Sequence, residues 1–154
     1  MAVSRYAQTV NDSPGAALAQ LLIGSFEVMV EQVVADLEKE GHPGVTATHE
    51  FALTAIEGGA QSASALGRSL GVSKQAAAKT ISALEQLGYV TRLDDLLDAR
   101  RITVTVTDRG HEMMTLGAHA FDEIRERLID CVGAADVDAV ERALRQLSQV
   151  SSSR

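Results

Sequence analysis

The sequence predicts a mainly α-helical fold with one small β-hairpin, and three observations carry that prediction. Apolar residues recur at three- and four-residue spacing along most of the chain. The period changes to two only at residues 89–93 and 102–106. Aromatic side chains are 3% of the 154 residues, so the core must be built from Leu, Val, Ile and Ala. An apolar content of 45% against 23% charged residues is that of an ordinary globular domain, and the length suits one domain with a real core.

Residues 1–14 have no periodicity and end in Ser13-Pro14, a turn signal, so a flexible N-terminal arm is expected there, followed by a single domain over 15–150. From Ala16 onward Leu18, Leu21, Leu22, Met29, Val33 and Leu37 define one face of a long helix. Gly41-His42-Pro43-Gly44 stops it. This apolar stretch, residues 16–37, contains Glu27 and Glu31, and such charges are costly in hydrocarbon, so no membrane span is expected. Thr46 or Thr48 can cap a second helix with Phe51, Leu53, Ala55 and Ile56 on its inner face, and Gly58-Gly59 ends it.

Ser62 or Ser64 can then cap a short helix ending at Leu70. Gly71-Val72-Ser73 makes a tight turn, and Ser73 supplies a hydroxyl to cap the next helix, residues 74–87, whose inner stripe is Ala77, Ile81, Leu84 and Leu87. Gly88 stops that helix in a left-handed conformation. Two helices joined by a three-residue turn containing Gly form a helix-turn-helix. The alternating stretches 89–93 and 102–106 follow, with Ile102, Val104 and Val106 on one side, and the polar loop between them makes a wing. Thr107 or Asp108 caps a long helix to about Cys131, and Gly133 with Asp136 begins a last one bearing Val137, Val140, Leu144 and Leu147. The fold expected is thus a winged helix-turn-helix lobe, residues 46–110, flanked by long dimerisation helices at 15–45 and 111–150. The terminal helices hold more apolar residues than a thin core can cover, which independently predicts a dimer.

The net charge of −7 argues against a polyanion partner until its distribution is considered. Residues 1–61 carry two basic and eight acidic residues, and residues 111–154 five basic and eight acidic. Residues 62–110 carry seven basic residues (Arg68, Lys74, Lys79, Arg92, Arg100, Arg101, Arg109) and only five acidic. Positive charge is concentrated where the helix-turn-helix lies, which fits an anionic polymer meeting that segment alone.

A helix reads the major groove through short or donor-bearing side chains on its exposed first turns. Ser73-Lys74-Gln75-Ala76-Ala77-Ala78-Lys79 meets that demand, with Ala77 turned inward and Lys74, Gln75, Ala76, Ala78 and Lys79 outward. Lys74 can donate to guanine or phosphate, Gln75 can pair with adenine, the alanines permit close approach to a thymine methyl, and Lys79 suits a phosphate. In the wing, Arg100 and Arg101 suit a minor groove, and Asp98 can hold a neighbouring guanidinium in position. Asp94 and Asp95 would repel phosphate unless they point away or pair with Arg92 or Arg101.

Residues 63–110 closely resemble the winged-helix core of the multiple antibiotic resistance regulator (MarR) family, including Gly88-Tyr89-Val90, Asp98-x-Arg100 and Thr107-Asp108-x-Gly110. The order of elements resembles that family over residues 16–148. The wing departs from the family pattern in having Leu96 and Leu97 at its tip. The resemblance implies a cytoplasmic homodimer, with interlocked terminal helices, that binds double-stranded DNA at an inverted repeat as a transcription regulator, usually a repressor. It implies two recognition helices in successive major grooves of a pseudo-palindrome, with Arg100 in the minor groove. The DNA-binding residues expected are Ser64, Ser73, Lys74, Gln75, Ala76, Ala78, Lys79, Asp98, Arg100 and Arg101. Release from the operator is expected to come from a small-molecule ligand or an oxidant, and the resemblance implies a small aromatic or phenolic effector, for which Phe26, His49, Phe51 and His119 are candidate lining residues. The rival reading is a winged-helix module that contacts protein and not a duplex.

Other chemistry finds little to stand on. The histidines His42, His49, His111 and His119 show no paired ligand spacing, so no metal and no cofactor are expected. Cys131 is the single cysteine, without a neighbouring Lys or His to lower its pKa, and is expected as a small buried or interface residue. No base adjoins it and no Gly-rich phosphate loop is present, so no enzyme is expected. The N-terminus lacks a secretory pattern, which predicts a cytoplasmic protein.

Overall fold

In the computed structural model, which describes residues 13–94 and 102–151, helix α1 spans Pro14–Lys39. Ser13 and Pro14, expected to close the arm, instead open this helix. The Ser13 Oγ accepts from the Ala16 N–H at 3.3 Å, and Pro14 takes the first helical position, where its missing N–H costs nothing. Residues 1–12 of the expected arm lie outside the described residues.

Of the predicted apolar face of α1 only Val33 and Leu37 are buried, while Leu18 and Leu21 are exposed. Ile23, Phe26 and Val28 add to that exposed apolar surface. By length and composition α1 is long and apolar enough to cross a membrane, with a mean hydropathy of 1.4. Glu27 and Glu31 are both exposed along it. A helix that covers a protein interface satisfies the same criterion.

Helix α2, Ala47–Glu57, is capped by Thr46 and not Thr48, and buries Ala52, Leu53 and Ile56. Phe51 departs from its expected inward position. It is exposed and stacks on Phe26 with ring centroids 6.1 Å apart. Helix α3, Ala63–Leu70, takes its cap from Ser62, whose Oγ accepts from the Ala65 N–H at 3.2 Å, and leaves Ser64 exposed in its first turn. Helix α4, Lys74–Gln86, follows after a turn whose Gly71 has φ 67°.

The end of α4 shows why glycine stands at position 88. The Tyr89 N–H bonds the Leu84 carbonyl at 2.9 Å, and the Gly88 N–H bonds the Glu85 carbonyl at 3.0 Å. This Schellman pair needs a left-handed residue, and Gly88 adopts φ 79°. Its associated apolar contact is met by Tyr89 and Leu84, both fully buried.

Strands β1, Val90–Asp94, and β2, Ile102–Val106, pair antiparallel with Val90 opposite Val106, Arg92 opposite Val104 and Asp94 opposite Ile102. The first strand starts one residue later than the alternation suggests, because Tyr89 serves the helix end. The Val104 N–H also bonds the Gln61 carbonyl at 2.9 Å, which ties the hairpin to the loop before α3. The core of this part is Val33, Leu37, Val45, Leu53, Ile56, Leu66, Ile81, Leu84, Tyr89, Val104 and Met113. Its low aromatic content is visible directly, with Tyr89 the single Phe or Tyr ring fully buried among the described residues.

Helix α5 spans Asp108–Val132 and α6 spans Ala134–Ser151. The chain divides into two compact units, residues 1–117 and 118–154. Within the second, Arg125 of α5 reaches Glu141 of α6 at 2.7 Å and Asp138 at 3.5 Å, and Ala120 and Val137 are buried. Leu128, Val132, Val140, Leu144 and Leu147 are exposed. Cys131 is exposed as well, which removes the expectation that it fills a core position within its own chain.

Candidate nucleic-acid interface

The solvent-facing side of α4 is set by its cap and the core beneath it. The Ser73 Oγ accepts from the Ala76 N–H at 3.1 Å, an interaction worth about 1 kcal/mol to a helix start. Ala77, Ile81 and Leu84 are buried on the opposite side. With that stripe pinned, Ser73, Lys74, Gln75, Ala76 and Lys79 are all exposed, in agreement with the sequence expectation. Ala78 differs. It is half-buried and helps line a cavity of about 150 Å³ with Ser62, Ala63, Ile81, Arg92 and Val104. At 100° per residue, Ala78 turns toward the hairpin and away from the outermost face.

Arg68, Lys74 and Lys79 show no ion pair among the described residues, so their charges are available to an anion. The wing residues Asp98, Arg100 and Arg101 lie outside the described residues, as does the rest of the loop from 95 to 101. Asp95 lies outside the described residues, and among the described residues Arg92 is paired with helix α4. Its Nε lies 3.0 Å from Glu85 Oε2, and its Nη2 donates to Ser82 Oγ at 3.1 Å. Both partners are on α4.

The motif residues at the two ends of the wing are joined to each other. Thr107 Oγ1 donates to the Gly88 carbonyl at 2.7 Å and accepts from the Gly110 N–H at 3.1 Å, while the Thr107 N–H bonds the Tyr89 carbonyl at 3.0 Å. One side chain thereby caps α5 and braces the end of α4. Arg109 adds a second brace, lying 5.3 Å from the centre of the Tyr89 ring and donating to the Gly41 carbonyl at 2.9 Å. Burial pushes the Tyr89 hydroxyl pKa up, while Arg109 pulls it the other way. Apart from the Thr107 cap on Gly110, which is local, these contacts have no sequence signature, since their partners are far apart in the chain.

Among the proposed effector-lining residues, Phe26 and Phe51 do come together. His49 Nδ1 is buried with no hydrogen-bond partner among the described residues, and burial lowers the His49 pKa. His119 lies on α5 beside Asp122, Glu123, Glu126 and Arg127. No cluster of three His, Cys, Asp or Glu residues suited to a metal occurs among the described residues.

The MarR family model matches residues 44–101. No curated protein sequence matches the chain. Among solved structures, the chain is similar to wild-type MarR from E. coli in its apo form, at 20% identity and a TM-score of 0.66, covering 84% of this chain and 96% of that one. It is similar to the transcriptional regulator Tm0710 from Thermotoga maritima, at 21% identity and a TM-score of 0.61, covering 87% and 93%. It is also similar to a mutant of S. aureus MepR bound to an oligodeoxyribonucleotide, at 15% identity and a TM-score of 0.60, covering 86% and 96%. At these identities the structural likenesses establish the fold, and the family match covers the helix-turn-helix and the first wing strand. Residues 44–101 therefore match the MarR family model, and the chain shares the winged-helix fold of the solved structures to which it is similar.

Proposed function

We propose that this chain is a homodimeric, DNA-binding transcription regulator, a repressor that binds an inverted-repeat operator and is released by a small aromatic or phenolic ligand. The observation that carries the reading is the α4 surface. A capped helix start presents Lys74, Gln75, Ala76 and Lys79 to solvent, unpaired among the described residues, while Ala77, Ile81 and Leu84 anchor it from behind. That arrangement supplies donors for base edges and phosphates at the end of a helix able to enter a major groove.

The dimer is supported by exposed apolar side chains on both terminal segments, Leu18, Leu21 and Val28 on α1 and Val140, Leu144 and Leu147 on α6. Surfaces of this kind call for a partner, and a second copy supplies one with closed symmetry. Two copies also place two reading helices on one duplex, which converts weak half-site contacts into tight binding. Phe26, Phe51 and the unpartnered His49 Nδ1 support an aromatic effector with a hydrogen-bonding group.

Binding to duplex DNA measured across a salt series tests the reading. The logarithm of the association constant should fall with the logarithm of salt at about −0.9 per neutralised phosphate. No binding at low salt, or a flat response, would overturn it in favour of a protein-contact module.

A further inference from the structure

The reading helix and the hairpin meet along a seam that is poorly filled. Ala78 and Ile81 of α4, Arg92 and Val104 of the hairpin, and Ser62 and Ala63 at the start of α3 surround a cavity of about 150 Å³. Across this seam runs the Arg92 contact, 3.0 Å to Glu85 and 3.1 Å to Ser82. Ser82 and Glu85 are three residues apart on α4 and so share one helix face. The two anchors hold a planar, rigid guanidinium at two points, which defines its direction as well as its distance.

A two-stranded hairpin with five-residue strands has little orientation of its own. Its angle against α4 must come from contacts near its base, where Ile81, Val90 and Val104 are buried and Arg92 adds a directed polar contact beside the cavity. We propose that Glu85 and Arg92 are positioning residues for DNA recognition, a clamp that sets strands β1 and β2 at a fixed angle to the reading helix so that hairpin and helix meet one duplex together. This inference rests on the DNA-binding function proposed above. It assigns Arg92, a cation within the basic segment, to the protein itself and not to phosphate.

The clamp makes an expectation opposite in sign to simple electrostatics. Glu85 places a negative charge on the reading helix. As an ordinary surface acid, its neutralisation would strengthen attraction to DNA. As half of a clamp, its neutralisation releases Arg92 and weakens specific binding.

The test uses the full chain and the tightest duplex recovered from a random-sequence pool, with a scrambled duplex as the non-specific reference. Glu85→Gln and Arg92→Gln should each weaken binding to the selected duplex tenfold or more, change binding to the scrambled duplex less, and leave the salt slope of the selected complex unaltered. The charge-swapped double variant, Glu85→Arg with Arg92→Glu, should regain part of the lost affinity. Circular dichroism and thermal midpoint report whether each variant is folded, and Ser82→Ala, a milder change, should give a loss in the same direction. Equal or tighter binding by folded Glu85→Gln would overturn the clamp, as would a salt slope reduced by about one in Arg92→Gln, which marks a direct phosphate contact. A wild-type chain that binds no duplex would overturn the DNA reading itself. Steep wild-type binding with a tighter Glu85→Gln variant would overturn the clamp alone.

Discussion

His42 Nδ1 lies 3.1 Å from the Tyr89 hydroxyl oxygen, and both side chains are buried. The two residues are 47 positions apart, His42 just beyond α1 and Tyr89 at the base of the wing. Their rings stack at 5.7 Å, and Glu112 stands 3.8 Å from the other imidazole nitrogen. A polar pair at the centre of an aliphatic core is costly unless satisfied, so this contact selects one arrangement of the segments that bring it together.

Tyr89→Phe keeps the ring and removes the partner of a buried imidazole nitrogen. The expected cost is about 1–3 kcal/mol, the penalty for leaving such a group unsatisfied. Urea unfolding at fixed protein concentration should show a lower midpoint with an unchanged slope. An unchanged midpoint would show that the hydrogen bond contributes nothing to stability.

Gly110 has no room for a methyl group. A Cβ there would collide with the Tyr89 carbonyl oxygen and lie 2.6 Å from Val106 Cγ1. Gly110→Ala should therefore destabilise the wing base by at least about 1–3 kcal/mol, the usual range for overpacking. Hydrogen exchange at the Thr107 and Tyr89 amides would show whether the loss is local to that joint.

For DNA recognition, Gln75→Ala should relax preference at one base position by about 1–3 kcal/mol, while Lys79→Ala should weaken all sequences evenly and lower the salt slope by about one. Arg100→Ala should weaken binding without unfolding the chain. Selection from random duplexes with each variant checks all three. An unchanged preference profile for Gln75→Ala would remove it from the reading face.

His49 and Glu50 give opposite pH dependences. Burial holds His49 below its ordinary value of 6.5, so between that value and the folded one the unfolded chain binds more protons. Wild type should lose stability relative to His49→Gln as pH falls through that window. Burial raises Glu50 above its ordinary value of 4.5, so there the folded chain binds more protons. Wild type should gain stability relative to Glu50→Gln as pH falls from the raised value toward 4.5. Urea midpoints between pH 4 and 8 check both signs.

The sequence by itself determined the elements whose causes are local. Ser73 caps, Gly88 stops, and Ala77, Ile81 and Leu84 form a stripe because capping and periodicity act within a few residues, whereas the choice of Ser62 over Ser64 to cap α3 came from the structure. Together with the basic segment 62–110, these made the winged helix-turn-helix legible and the exposure of Lys74, Gln75 and Lys79 predictable. Only the tertiary structure decided which capping residue served α2, that Phe51 leaves the core for Phe26, that Ala78 faces a cavity, and that Arg92 pairs with Glu85. It alone showed His42 on Tyr89 and Thr107 on Gly88. The physical reason is range. A cap or a stripe is fixed by neighbours along the chain, whereas the partner of a cation, a hydroxyl or a ring is whatever the fold brings within a few ångströms, from any distance in sequence.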